Sequence, residues 1–185
     1  MPAGTTFDNA VELTFRAIVA GNPLDNANGT IISSGYRLPG RHSHEGIDIQ
    51  RIENGVNVAM GEAVFAAHGG EVLIANTSQT AGYWVVIRSD VIDPVTNLAI
   101  VSRYMHMQSH PLVLENARIS QGTHIGFVGN SGQTSGSGPG GRSTGHLHLD
   151  FNNGNRNSGI AAFTINPQRF FPDVMFSGQT STVMP

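Results

Sequence analysis

The sequence predicts a mostly β protein: a compact, antiparallel, sandwich-like β structure with few or no long helices. Two observations lead to this fold class. Charged residues make up only 12% of the 185 residues, and 23 residues are glycine, a composition that fits a strand-rich and loop-rich domain better than a helical one. From residue 30 onwards, short apolar runs alternate with Gly, Asn, Asp or Ser, which is the pattern of antiparallel strands joined by turns.

The composition also excludes several classes of protein. The length suggests one domain that can bury a substantial core. The absence of cysteine excludes a disulfide scaffold, a Cys-ligated metal site and a thiol nucleophile. A formal net charge of −3 with no basic run excludes a strongly basic nucleic-acid binder. No apolar run approaches the roughly 18 residues of a membrane span.

The two ends of the chain are predicted to lie outside the main domain. Residues 1–29 are expected to form an N-terminal extension that packs on the domain. Residues 8–20 within it fit either a strand or a helix. This end lacks the basic start and unbroken apolar core of a signal peptide, so we expect another export route or a start after a removed signal. Residues 173–185 are expected to form a C-terminal tail.

Eight β-like runs follow residue 29, each bounded by turn-forming residues. They are predicted at 30–36, 46–50, 63–67, 71–75, 83–88, 98–105, 123–128 and 145–151. The segment 129–145 contains seven glycines and no large apolar residue, so we expect a loop that rims a site or links two strands. Its formal GxGxxG match contains Pro139 and precedes a strand-like run, which excludes a dinucleotide-binding turn.

The last run contains a pattern that points to a site. In His146-Leu147-His148-Leu149-Asp150-Phe151, strand alternation places His146, His148 and Asp150 on one face, about 6.6–6.8 Å apart in succession. The three apolar residues take the other face and are predicted to be core. The polar face is either a functional site or a solvent-exposed surface, and this strand alone leaves both open.

A second cluster surrounds Gly46. His44 and Asp48 would lie about 13 Å apart on a regular strand, and glycine with neighbouring isoleucines disfavours a helix. We therefore expect a turn at Gly46 that brings His44 beside Asp48. Together with one of His146 and His148, they form a His-His-carboxylate set, which leaves an open position in a tetrahedral zinc site. Without cysteine ligands, zinc is the metal we expect.

A third element is Arg103-Tyr104-Met105-His106. His106 is predicted where a strand meets a loop, a usual place for a catalytic group. The alternative is a partly buried structural histidine.

These three elements together resemble the signature of the lysostaphin-type (LytM-type) zinc metallopeptidases. The matching residues are His44 and Asp48 as HxxxD, Tyr104 and His106 as YxH, and His146 and His148 as HxH. The segments 61–72 and 122–129 also resemble that family, and the resemblance extends over about residues 30–172. It implies one metallopeptidase domain over 30–172, with the duplicated-hybrid-motif β fold and a groove.

The resemblance further implies hydrolysis of peptide bonds in bacterial peptidoglycan, and it assigns roles to residues. His44, Asp48 and His148 would bind one Zn²⁺, and His106 and His146 would be unligated catalytic histidines. Asp150 stands where the family often has Glu, either to orient a histidine or as an exposed strand residue. Tyr36 would either donate a hydrogen bond to the oxyanion or serve in packing. The histidines that match no motif are predicted to be surface or structural: His42, His68, His110 and His124.

The expected function is that of a zinc endopeptidase acting on peptidoglycan cross-links, with a D,D-endopeptidase favoured over a glycyl-glycine type. The alternative is a non-catalytic peptidoglycan-binding or regulatory module with the same fold. The expected partner is a peptidoglycan stem or bridge peptide, in the context of a larger envelope or phage assembly. The expected location is extracytoplasmic: periplasm, cell wall or secreted, or alternatively a phage virion.

Overall fold

The computed structural model of the protein describes residues 30–37, 44–93, 98–134, 145–153 and 164–167. These residues form eleven β-strands and contain no α-helix, which confirms the mostly β prediction. The strands are β1 (Thr30–Ser34), β2 (Ile47–Glu53), β3 (Val56–Asn57), β4 (Ala63–Phe65), β5 (Gly70–Ser78), β6 (Gly82–Asp93), β7 (Leu98–Met107), β8 (Arg118–Ile119), β9 (His124–Phe127), β10 (Leu147–Asn153) and β11 (Thr164–Ile165).

Every predicted β run overlaps an observed strand, because apolar and polar residues alternate along these segments. In β10, Leu147, Leu149 and Phe151 are fully buried, as their shared face predicts. Three strands were not predicted: β3, β8 and β11. Each has only two residues, which is too short to show alternation.

Nine of the strands form one antiparallel sheet. Its main path runs β1-β2-β10-β7-β6-β5-β8, with β3 paired to β2 and β11 paired to β10. The late strand β10 therefore lies between β2 and β7. This order brings together the strands that carry or adjoin the HxxxD, YxH and HxH residues, although they are far apart along the chain.

The two remaining strands, β4 and β9, form a second antiparallel pair that covers one face of the large sheet. Val64 and Ile125 of this pair belong to the same buried apolar cluster as Ile87 and Phe151 of the large sheet. The buried Tyr104 hydroxyl accepts a hydrogen bond from the backbone N–H of Ala67 at 2.7 Å, and burial raises the pKa of Tyr104 to about 12. The two layers are thus joined by a polar contact as well as by apolar packing.

Several sequence-based predictions fall outside the described residues. These include the N-terminal extension at 1–29, the tail at 173–185 and the middle of the glycine-rich segment, 135–144. The described residues 130–134 of that segment form no strand, as expected for a loop. Within the described ranges there is no helix with the length and apolar character to cross a membrane.

We expect Ile87→Ala to lower the free energy of unfolding by about 2–5 kcal/mol, because it leaves a cavity in a close-packed core. Ile87 is fully buried in the middle of β6. Ile92→Ala is the matched control in the same strand, since Ile92 is 44% exposed. Urea denaturation followed by tryptophan fluorescence measures both, and equal losses for the two variants would contradict this assignment of the core.

Candidate functional site

The candidate site lies where β2, β10 and β7 run side by side. His148 of β10 is the Cα partner of Asp48 on β2 and of Met105 on β7. Directly paired residues in a sheet point to the same face and lie close together. The register of β2 on β10 therefore places the Asp48 carboxylate against the His148 imidazole.

The third polar group comes from the turn before β2. The structure places His44 so that its Nε2 lies 3.1 Å from Asp48 Oδ1. Gly46, between them, is closely covered by His148: a Cβ at Gly46 would lie 2.6 Å from His148 Nε2. The sequence predicts a turn at Gly46, and in the structure Gly46 also provides the space for His148.

The side chains of His44, Asp48 and His148 present three ligand atoms that lie within 4.8 Å of one another. His148 Nδ1 lies 2.9 Å from Asp48 Oδ1, and His44 Nε2 lies 3.3 Å from His148 Nδ1. Tetrahedral coordination with zinc–ligand bonds of about 2.0–2.1 Å separates neighbouring ligand atoms by roughly 3.3 Å. Two imidazole nitrogens and one carboxylate oxygen at these separations fit a metal ion.

The outer nitrogens of both histidines support the same conclusion. His44 Nδ1–H donates to the Gly35 carbonyl at 2.9 Å, which leaves Nε2 with its lone pair towards the cluster. His148 directs Nε2 to Asp150 Oδ2 at 3.5 Å and Nδ1 to the cluster. Metal-binding histidines in proteins usually donate their second N–H to such an acceptor.

Asp150 is fully buried and is held by Arg103, whose Nε donates to its two oxygens at 2.6 and 2.9 Å. Of the two predicted roles for Asp150, the structure therefore favours the one that orients a histidine. The role of Arg103 was missed from sequence. The available signal was a charged residue within an otherwise largely apolar run, but only the pairing of Arg103 with Asp150 across β7 and β10 reveals its partner.

The protonation of the cluster follows from its geometry. Burial raises the pKa of Asp48, but the close contacts of its carboxylate with the His148 and His44 imidazoles outweigh burial and hold this pKa well below its usual range. Burial lowers the pKa of His148, but hydrogen bonds to Asp150 and Asp48 outweigh it and raise the pKa to about 9. In the metal-free protein, a proton therefore competes with a metal for His148.

His106 reaches the site through a β-bulge. The β6–β7 pairing passes from Val85↔Tyr104 to Tyr83↔Met107, so Met105 and His106 together oppose Trp84. Tyr104 and Met107 both lie in the core although they are three residues apart, which strict alternation forbids. A bulge can re-aim a side chain in this way, and the positive φ of 62° at His106 marks its position.

The bulge places His106 beside the other histidines. Its ring centroid lies 5.0 Å from that of His146 and 5.9 Å from that of His148. His106 Nδ1–H donates to the Ser131 carbonyl at 2.9 Å, and burial lowers the pKa of His106 to about 4. His146 Nε2 lies 3.7 Å from Asp48 Oδ1. All five predicted site residues thus converge on one face of the sheet.

The other singled-out residues lie in different surroundings. The Tyr36 hydroxyl forms a hydrogen bond with the Thr164 hydroxyl of β11 at 2.9 Å. This contact favours a structural role for Tyr36 over a contact with the histidine cluster. His68 is buried, and burial lowers its pKa to about 4. His124 packs on Phe127, and His110 is exposed beside Tyr83. His42 lies outside the described residues.

Comparison with known proteins gives one family match and several structural similarities. The family model described as peptidase family M23 matches residues 42–159, more than half of the chain. A zinc-containing peptidase from Vibrio cholerae is similar in structure, with a TM-score of 0.54 and 22% identity. The antimicrobial peptidase lysostaphin from Staphylococcus simulans has a TM-score of 0.57 and 19% identity. The catalytic domain of the prophage-encoded M23 protein EnpA from Enterococcus faecalis has a TM-score of 0.55 and 22% identity.

These structural similarities cover most of this chain but different shares of the other proteins. The match to the Vibrio cholerae peptidase covers 78% of this chain and 37% of that one. For lysostaphin the shares are 86% and 56%, and for the EnpA domain they are 75% and 89%. At these identities the solved structures support the fold alone.

We expect the affinity of the metal-free protein for a divalent ion, probed with Zn²⁺, to fall by up to tenfold per pH unit below about pH 9. Metal binding must displace the proton that His148 holds below its raised pKa of about 9. Chelator competition between pH 6 and pH 9 measures this slope. An affinity independent of pH across that range would contradict the placement of His148 among the ligands.

Proposed function

Since the chain belongs to peptidase family M23, we propose that it is a zinc-dependent endopeptidase that hydrolyses peptide bonds in bacterial peptidoglycan cross-links. One observation carries the proposal: three ligand atoms lie within 4.8 Å of one another, and two further histidines lie beside them. The family membership supports a peptidase, and the filled set of five polar positions supports an active one rather than a non-catalytic module.

In the proposed mechanism, His44, Asp48 and His148 would hold one Zn²⁺ as a three-ligand set. Bound zinc would supply Lewis-acid polarisation of the scissile carbonyl and a lowered pKa for nearby water. The charge balance supports this role, because a single carboxylate leaves part of the ion's positive charge uncompensated. Asp150 and Gly35 hold the two imidazoles in the orientation that this binding needs.

His106 is the proposed general base. The Ser131 carbonyl can only accept a hydrogen bond, so neutral His106 carries its proton on Nδ1 and keeps a lone pair on Nε2. Its lowered pKa of about 4 keeps this neutral form populated at neutral pH. Nε2 takes a proton from the attacking water and returns it to the nitrogen of the leaving amine.

His146 is the proposed hydrogen-bond donor to the oxyanion of the tetrahedral intermediate. Its Nε2 lies 3.7 Å from Asp48 Oδ1, directly beside the three proposed zinc ligands, and an imidazole N–H can donate a hydrogen bond. A donor fixed in place before the reaction stabilises the charge that develops on the carbonyl oxygen. The two proposed catalytic histidines therefore take complementary roles: His106 moves the proton and His146 stabilises the oxyanion.

For the substrate, we favour the D,D-type cross-link over a glycyl-glycine bridge. Met60 is 43% exposed and packs against Gly145, directly before His146: a Cβ at Gly145 would lie 3.1 Å from Met60 Cβ and Cε. An exposed apolar side chain at this place suits the methyl group of an alanine residue, which glycine lacks.

The proposed context follows from this substrate. We propose one peptidase domain over residues 30–172, which contains the matched range 42–159. Peptidoglycan lies outside the cytoplasmic membrane, so the proposed location is the periplasm, the cell wall or the exterior. A larger envelope assembly or a phage virion is the proposed setting, and the prophage origin of the EnpA domain supports the phage alternative.

We expect variants of the five histidine and aspartate positions to divide into two groups. His44→Ala and Asp48→Ala remove a ligand and should abolish both bound zinc and peptidase activity. His106→Ala should retain about one zinc per chain and lose activity by at least a hundredfold, since general acid–base catalysis contributes about 10²–10⁴-fold. Elemental analysis and a peptidoglycan-release assay measure the two properties.

His110→Ala is the matched control, because His110 is exposed and lies beside Tyr83. It should keep both zinc and activity. Full activity in His106→Ala would exclude the proposed base, and retained zinc in Asp48→Ala would exclude the proposed ligand set.

Digestion of purified peptidoglycan of two cross-link types should show which bond is cut. With peptidoglycan that has D,D-type cross-links, we expect mass spectrometry to show new stem-peptide ends after digestion by the wild type. The same ends should be absent after treatment with His106→Ala. Cleavage only of glycine-bridged material would reverse the substrate preference. A zinc-containing protein that binds both materials and cuts neither would favour the non-catalytic module.

A further inference from the structure

We propose that Ser131 is the positioning residue for His106. Its carbonyl selects which imidazole nitrogen carries the proton, and its hydroxyl holds that carbonyl in place by bridging β6 and β7. The inference rests on the catalytic role proposed for His106. Ser131 belongs to the described part of the glycine-rich segment, which the sequence predicts only to be a loop.

The Ser131 hydroxyl acts beside the bulge in β7. Tyr83 and Met107 are Cα partners at the point where the β6–β7 pairing has shifted. The Tyr83 backbone N–H donates to Ser131 Oγ at 2.9 Å, and Ser131 Oγ donates to the Met107 carbonyl at 2.6 Å. The hydroxyl is thus acceptor and donor at once, and it ties the segment to both strands next to His106.

The Ser131 carbonyl then acts on the imidazole. It accepts a hydrogen bond from His106 Nδ1 at 2.9 Å. A carbonyl has lone pairs and no proton, so this contact requires a proton on Nδ1 and leaves Nε2 of the neutral ring unprotonated. The acceptor at Nδ1 therefore sets the tautomer of the neutral ring. In histidine generally, the hydrogen bond made by one ring nitrogen decides which nitrogen carries the proton.

Two glycines permit this close approach. A Cβ at Gly82 would lie 2.1 Å from Ser131 Oγ, and a Cβ at Gly132 would lie 2.3 Å from the Gly82 nitrogen. Both have positive φ, 66° at Gly82 and 77° at Gly132, a conformation that glycine adopts readily. The Gln133 N–H also donates to the Thr80 carbonyl at 2.9 Å. The segment is therefore seated on the turn between β5 and β6.

His106 needs such support because its backbone is unusual. A non-glycine residue at φ 62° costs free energy and persists only where its surroundings hold it. Its backbone N–H donates to the Ala81 carbonyl at 2.9 Å, which fixes the main chain but not the ring. The contact with Ser131 fixes the ring. Ser131 itself is partly exposed, so its contribution to the core is small.

The test is Ser131→Ala, read by ¹⁵N NMR of histidine side chains in the zinc-loaded protein. We expect His106 in the wild type to be protonated on Nδ1 alone, and in Ser131→Ala to populate both neutral tautomers. The signals of His106 are assigned by their loss in His106→Ala. We also expect kcat on peptidoglycan to fall by about tenfold, the size of one lost hydrogen bond, with KM and zinc content unchanged.

Thr134→Val is the matched control. Thr134 lies in the same segment, but its hydroxyl donates to the Asn130 carbonyl at 3.4 Å, within the segment. This variant should keep the wild-type tautomer and kcat. Gly82→Ala provides a second test, since its new methyl group would displace Ser131 and should shift the tautomer as Ser131→Ala does. Should Ser131→Ala fail to fold, Ser131→Cys, with similar volume and a weaker donor, should show the same shift.

A wild-type tautomer in a folded Ser131→Ala protein, with kcat equal to that of Thr134→Val, would overturn the proposal and leave the peptidase function intact. If the wild type cuts no peptidoglycan, the NMR comparison still decides the positioning role. The failure of this inference and the failure of the proposed function are therefore separate results.

Discussion

The site depends on a single carboxylate oxygen that is shared among three imidazoles. Asp48 Oδ1 lies 3.1 Å from His44 Nε2, 2.9 Å from His148 Nδ1 and 3.7 Å from His146 Nε2. A partly buried carboxylate surrounded by apolar strands is costly unless such partners satisfy it. The partners come from a turn before β2 and from β10 and the residue directly before it. The β2–β10 register is therefore the constraint that forms the site.

Alternating acidic and basic groups extend this arrangement across three neighbouring strands. From β2 to β7, the sequence of groups is the Asp48 carboxylate, the His148 imidazole, the Asp150 carboxylate and the Arg103 guanidinium. Asp150 has no exposed surface, so removal of Arg103 would take away its two short hydrogen bonds and leave this buried charge with the more distant His148 imidazole. These four groups lie on the sheet face opposite Leu147 and Leu149. Apolar packing on one face and ion pairing on the other thus hold the same strand in register.

The bulge in β7 makes possible two features that a regular strand could not combine. Tyr104 and Met107 both pack in the core, while Met105 pairs with His148 and His106 approaches the same cluster. With strict alternation His106 would share a face with Tyr104. An extra residue restores core packing after the bulge and turns the imidazole towards the site. Strain at His106 is the cost of this geometry, and contacts from neighbouring segments offset it.

The sequence by itself determined the mostly β class, the eight longer strands and the apolar face of β10, because strand alternation is a local property of side chains. It also predicted that the turn at Gly46 brings His44 beside Asp48. Three two-residue strands lacked any periodic signal. Only the tertiary structure decided the partner of Arg103, the face of His106 and the space at Gly46 for His148. These features depend on register and on an inserted residue, which arise from pairing between distant segments and leave no periodic pattern in the chain.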